Sequence, residues 1–169
     1  LALCRPASMK SIPLYLENRA HPENISCPSE ELEPVLRGTC GVMMYQEQAM
    51  LTARIAAGFS LARADVLRKA ISKKKESELA GMRSDFIRCC VKNGYTEEKA
   101  EELFRLIDEF GGYGFNKSHS AAYAWVAWQT AYLKANYPAD FMAAMLASVM
   151  DNTDKVSQYI EQCKRMGIR

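Results

Sequence analysis

The stretch that most restricts this chain is Gly111-Gly112-Tyr113-Gly114-Phe115-Asn116-Lys117-Ser118-His119-Ser120-Ala121-Ala122-Tyr123, where three glycines in four residues separate two apolar helical periods. Each glycine in a helix interior costs about 1 kcal/mol relative to alanine, so a helix arriving at this point has to stop and start again. The same glycines free the backbone for positive φ and for close approach to a ligand. Hydrogen-bonding and cationic residues follow at once. With Ser118 as N-cap, Lys117, His119 and the first-turn amides would point at one spot, with the positive end of the helix dipole behind them. An anionic oxygen suits that spot. The pattern equally describes a glycine C-cap joined to a serine N-cap between two packed helices, and at this level both readings stand.

The segments on either side fix the class of fold. From Glu76, the residues Leu79, Met82, Phe86, Cys89 and Cys90 share one helical face that stops at Asn93-Gly94. Thr96 then caps a helix whose buried face is Ala100, Leu103, Phe104, Ile107 and Phe110, so the two make an antiparallel pair that ends on the glycine turn. Beyond the turn, residues 120–136 are apolar nearly all round, with Tyr123, Trp125, Val126, Trp128, Tyr132 and Leu133; this predicts a central buried helix whose aromatics are core, the other reading being a base-stacking surface. Upstream, a short helix is expected over Glu30 to Arg37, capped by Ser29 and closed by Gly38. Another runs from near Met44 to Gly58 with Met50, Ala53, Ile55 and Ala57 inward, and its polar start Tyr45-Gln46-Glu47-Gln48 reads as a solvated first turn. Ser60 caps a helix carrying Leu61, Ala64, Leu67 and Ile71, Pro138 opens one reaching Met150, and Asn152 or Thr153 caps a last one with Val156, Tyr159, Ile160 and Cys163. Residues 1–28, rich in proline and without a helical period, are expected to form an extended or turn-rich lead-in. No hairpin or βαβ pattern occurs. The expectation is therefore an all-α, compact multi-helix domain over 29–169 behind an irregular lead-in.

Charge is informative through its distribution. A net charge of +2 over 169 residues announces no nucleic-acid binder. Yet Arg63, Arg68, Lys69, Lys73, Lys74, Lys75, Arg83, Arg88 and Lys92 precede an acidic stretch of Glu97, Glu98, Glu101, Glu102, Asp108 and Glu109, so one face can be strongly positive. Five of these cations fall within residues 68–75. Most lysine runs are solvated faces; phosphate contact is favoured here because the run abuts a helix end. Metal and catalytic chemistry have no foothold. The six cysteines form no C-x-x-C pair, only two histidines accompany them, and no Asp-x-Asp brings carboxylates together for metal-assisted phosphoryl transfer. With no signal peptide and no apolar run long enough to span a bilayer, the expectation is a cytoplasmic chain, not membrane-bound, with reduced cysteines. The ends at Leu1 and Arg169 read as those of a piece of something longer.

Several ordered motifs carry a family resemblance: Phe115 to Tyr123, then Gln129-Thr130-Ala131-Tyr132-Leu133-Lys134 and Tyr137 to Ala144. With them stand Gly41-Val42-Met43-Met44-Tyr45-Gln46-Glu47-Gln48, Leu67-Arg68-Lys69-Ala70 with Lys73-Lys74-Lys75, and Met150 to Val156. Together they resemble the fingers region of the bacterial DNA polymerase III alpha subunit, the C-family replicative polymerase. The resemblance implies a helical fingers fragment of a larger chain, placing Arg68, Lys73, Lys74, Lys75, Asn116, Lys117, Ser118 and His119 on the nucleotide and phosphate side. His119 would be a neutral donor to phosphate, the other reading being a local cap partner. The implied partners are a deoxynucleoside triphosphate, primer-template DNA, the rest of the polymerase chain and the replicase subunits. Magnesium is implied for the parent enzyme, whose metal-binding aspartates belong to the palm; this fragment would contain no catalytic residue and no cofactor, and would be inactive alone. Two departures stand out: Ala7-Ser8 where the family typically has Gly-Pro, and Lys69 where it usually has a second arginine. Outside the resemblance, a stand-alone helical nucleic-acid-binding or protein-interaction module fits the same composition.

Overall fold

The computed structural model describes residues 2–4, 8–73, 76–111 and 114–168. Nine α-helices occur among them: α1 (Ile12–Ala20), α2 (Glu33–Leu36), α3 (Gln46–Ala57), α4 (Leu61–Ser72), α5 (Glu76–Lys92), α6 (Glu97–Gly111), α7 (Lys117–Asn136), α8 (Pro138–Ala147) and α9 (Thr153–Arg165). The extended pairing among the described residues is one isolated parallel bridge, Tyr45 with Phe115. The chain is all-α, as its periodicity predicts. It divides into two compact units, Leu1–Ser120 and Ala121–Arg169.

In the first unit α3 is the central element, packing against α4, α5 and α6. Small residues make this possible: Ala49, Ala53, Ala56 and Ala57 are all buried on α3 and let the neighbouring helices come close. Leu32, Leu36, Leu67, Phe86, Leu103 and Ile107 close around them, fully buried. Phe86 meets Phe59 edge-on at 6.0 Å, an arrangement that aromatic quadrupoles favour, and packs at a tilt on Phe104 at 5.6 Å. Local signals account for the helix ends. Ser60 accepts from the Arg63 amide at 3.2 Å, Thr96 accepts from the Lys99 amide at 3.2 Å, and Gly58 and Gly94 terminate α3 and α5 at φ values of 65° and 94°. Asn93, just past α5, donates to the Ala56 carbonyl at 3.0 Å and so ties the ends of α3 and α5 together.

Three expectations are corrected within this unit. Part of the lead-in is helical: Ile12–Ala20 forms α1, with Pro13 in the first turn where its missing amide costs nothing, and short 3₁₀ turns on either side supply the expected turns. Its apolar residues Ile12, Leu14 and Leu16 alternate, a spacing that shows no helical period. The helix expected over 30–37 is broken into a 3₁₀ turn at Glu30–Leu32, the four residues of α2 and another 3₁₀ turn at Arg37–Thr39. Gly38 does not close it; Cys40, left-handed at φ 53°, and Gly41, at φ 77°, do. Leu61 is exposed, so the buried face of α4 is Ala64, Leu67, Ala70 and Ile71. The departure at Ala7 lies outside the described residues, as do Lys74 and Lys75.

In the second unit, Asn152 caps α9 by accepting from the Lys155 amide at 3.1 Å, and Pro138 occupies the first turn of α8. The expected burial of α7 is overturned. Trp125 is 59% exposed, and Val126, Trp128, Tyr132 and Leu133 are exposed with it. Trp125 and Trp128 stack on each other at 5.1 Å, and Trp128 on Tyr132 at 5.6 Å. A helix apolar all round is buried only where neighbours cover every side, which the period of its own sequence does not supply.

Candidate functional site

The site is built on a turn that delivers residues 42–48. Asn18 of α1, itself buried, donates to the Cys40 carbonyl at 2.7 Å and holds the left-handed Cys40-Gly41 pair in place. A side chain at Gly41 would be strained by its positive φ and would lie 3.2 Å from Ile25 and 3.3 Å from the Ser26 carbonyl, so glycine is required there. Val42 and Met44 then point into a small core with Ala2, against which Tyr15, Tyr45, Phe110 and Phe115 pack. Gln48 is 5% exposed and is no solvated side chain. Its Oε1 accepts from the amides of Met44 and Tyr45, both at 2.9 Å, while its Nε2 donates to the Val35 carbonyl at 2.9 Å and to Thr39 Oγ1 at 2.6 Å. The start of α3 is thereby fixed to the chain preceding it.

Two motifs some seventy positions apart meet on this platform. The Gln46 amide donates to the Phe115 carbonyl at 3.0 Å, and the Phe115 amide donates to the Met44 carbonyl at 3.3 Å. Glu47, half-buried on the first turn of α3, accepts from Asn116 Nδ2 at 3.0 Å and from the Lys117 amide at 3.0 and 3.2 Å. Lys117 Nζ lies 6.0 Å from the centre of the Tyr45 ring, at the outer reach of a cation–π contact. Gly114 is what allows the approach: a Cβ there would sit 2.7 Å from Phe110 and 2.8 Å from Gln46. Gly111 is the last residue of α6, and Gly112 and Tyr113 lie outside the described residues.

The cap of α7 also differs from expectation. Asn116, not Ser118, performs it: its Oδ1 accepts from the His119 amide at 2.8 Å and its carbonyl from the Ser120 amide at 3.2 Å. Helix α7 accordingly begins at Lys117, and Ser118 is an exposed residue of its first turn. The His119 and Phe115 rings lie 5.3 Å apart. The amides of Lys117 and His119, expected to face an anion, are occupied by Glu47 and Asn116.

The basic residues on α4 are likewise bound to acids. Arg68, half-buried, reaches Asp65 Oδ1 with Nε at 2.9 Å and Nη2 at 2.8 Å, and Lys69 Nζ reaches Oδ2 at 2.6 Å. These bonds, that of Lys69 foremost, hold the Asp65 carboxyl below its ordinary value. Arg63 and Arg88 both bind Asp85, and Arg83 binds Glu101. Much of the predicted positive face is thus neutralised locally. Lys73, the C-cap residue of α4, is exposed. Of the sequence-derived residues, Arg68 is bound to Asp65, and Asn116 and Lys117 are bound to Glu47.

Among the described residues no group of three or more histidine, cysteine, aspartate or glutamate side chains could hold a metal ion. No described helix is long and apolar enough to cross a membrane. Reasoning from sequence missed Glu47, Gln48 and Tyr45 as parts of the site. Their motif was in view, but a polar first turn looks alike whether it meets water or another helix start.

A family model described as "Bacterial DNA polymerase III alpha subunit finger domain" matches residues 1–94. The chain is 52% identical over 167 residues to the DNA polymerase III subunit alpha of Borreliella burgdorferi, covering 99% of this chain. It is 46% identical over 176 residues to that of Escherichia coli K12, covering all of this chain, and 46% identical over 168 residues to that of Bacillus subtilis, covering 99%. In each case the chain spans 15% of the relative's length.

Proposed function

Since this chain belongs to the bacterial DNA polymerase III alpha subunit finger-domain family, we propose that it is the portion of a replicative polymerase's fingers that receives the incoming deoxynucleoside triphosphate beside the primer-template. The observation that carries this reading is the junction of residues 44–47 with residues 115–117, which fixes Lys117 at the start of α7 on a platform of buried side chains. A cation on a rigid element stabilises phosphate charge without reorganising at the moment of reaction. Arg68, held against Asp65, and Lys73 at the end of α4 supply further cations, with Lys74 and Lys75 next in sequence. Asn116, Ser118 and His119 complete the set: Asn116 acts by shaping the turn, and Ser118 and His119 offer donors from the first turn of α7. The remaining polymerase chain, which would carry the metal-binding carboxylates, and the replicase subunits are the other partners, in the cytoplasm. By itself the 169-residue chain would perform no nucleotidyl transfer.

The test is single-nucleotide incorporation by the full-length polymerase carrying Lys117→Ala or Arg68→Ala, beside thermal melts. Losing a charge-assisted phosphate contact costs about 1.5 to 3 kcal/mol, so each variant should lower kcat/KM for nucleotide at least about tenfold with little change in melting temperature. Incorporation that is intact in Lys117→Ala, or impaired only in step with a lower melting temperature, would show that the glycine turn is a helix connection.

A further inference from the structure

We propose that Glu47 is a positioning residue for this nucleotide site: its carboxylate pins the start of α7 and thereby sets where Lys117 presents its ammonium group. The inference rests on the fingers reading above and adds to it a residue that never touches nucleotide.

Glu47 is the second residue of α3, where a negative side chain already faces the positive end of that helix's dipole. The same carboxylate accepts from the Lys117 amide, the first of α7, so it lies at the positive ends of two helices at once. It also fixes Asn116: with Nδ2 given to Glu47 and Oδ1 accepting from the His119 amide, both ends of that side-chain amide are committed. The cap of α7 is therefore held from outside by α3. A phosphate cannot use the Lys117 amide while a carboxylate of the same sign sits on it, so the anion has to be met by side chains. Lys117 follows directly on this clamp, its Nζ 6.0 Å from the centre of the ring of Tyr45, whose own amide Gln48 holds. Releasing Glu47 would leave the backbone bridge at Phe115 but free the first turn of α7 to rotate, and Lys117 with it.

The experiment is a double-mutant cycle in the full-length polymerase, reading KM and kcat for incoming nucleotide together with melting temperature. Glu47→Ala should raise KM about tenfold and change kcat by less than about threefold, as expected when a binding group is misplaced while the chemical step is spared. Glu47→Gln, which keeps an acceptor for the Lys117 amide, should recover most of that loss. Because Glu47 acts through Lys117, Glu47→Ala combined with Lys117→Ala should be no worse than Lys117→Ala alone. A KM unchanged or lowered by Glu47→Ala overturns the proposal, the lowered value meaning that the carboxylate competes with phosphate. Additive losses in the double variant overturn it, as does a loss that follows the melting temperature and is not restored by Glu47→Gln. If Lys117→Ala itself leaves kinetics intact, the fingers reading of this site fails and the proposal falls with it. A Lys117→Ala defect with none in Glu47→Ala rejects the proposal alone.

Discussion

Gln48→Leu isolates the buried network that sets the site's geometry. The substitution keeps roughly the same volume but removes the acceptor shared by the Met44 and Tyr45 amides and the donor serving the Val35 carbonyl and Thr39. Thr39 keeps its own bond to the Leu36 carbonyl at 3.0 Å, so the principal losses are two backbone donors. Stranding a buried donor costs about 1 to 3 kcal/mol, which gives about 2 to 6 for the pair. The leucine recovers part of this by burying apolar surface, on the order of 1 to 2 kcal/mol. The middle of these ranges gives a net destabilisation of about 2.5 kcal/mol, read as a lower urea midpoint with an unchanged slope in the 169-residue chain. Gln48→Ala, which adds a cavity, should be destabilised further than the leucine variant and so have a lower midpoint. A Gln48→Leu midpoint equivalent to less than about 0.5 kcal/mol from the parent chain would refute the reasoning, since that is the range of an ordinary surface substitution.

Two further outcomes follow from burial and charge. Trp125→Ala should leave the urea midpoint of the 169-residue chain within about 1 kcal/mol, because the ring is exposed, whereas Phe86→Ala, fully buried between two aromatic rings, should cost about 3 to 5 kcal/mol. Equal costs for the two would contradict the packing described. Asp65 has a lowered folded pKa, so the stability it contributes is present above the ordinary carboxylate value and disappears as pH falls through the folded one. The pair is partly exposed, so Asp65→Asn should be less stable than the parent by no more than about 1 kcal/mol at neutral pH, with the difference vanishing in acid. A difference that persists in urea titrations below that range would assign the effect to packing.

The sequence on its own determined the class of fold and nearly every helix around the site. Caps at Ser60, Thr96 and Asn152, stops at Gly58 and Gly94, and apolar faces on α5 and α6 are local signals, set by hydrogen-bonding groups within a few residues and by the helical repeat. Its motifs also pointed to the family that the comparisons establish. Tertiary structure alone decided what depends on a neighbour far along the chain. Whether the first turn of α3 meets water or another helix start turned on Phe115 to Lys117 arriving beside it, and that made Gln48 a buried hub and Glu47 the clamp on α7. Asn116 displaced Ser118 as the cap because Glu47 orients its amide. Gly114 is needed for the space between Phe110 and Gln46, a demand that no count of glycines conveys. The pairing of Arg68 with Asp65 was within reach at helical spacing; the exposure of Trp125 was not, because an apolar helix reports what it could bury and its surroundings decide what it does.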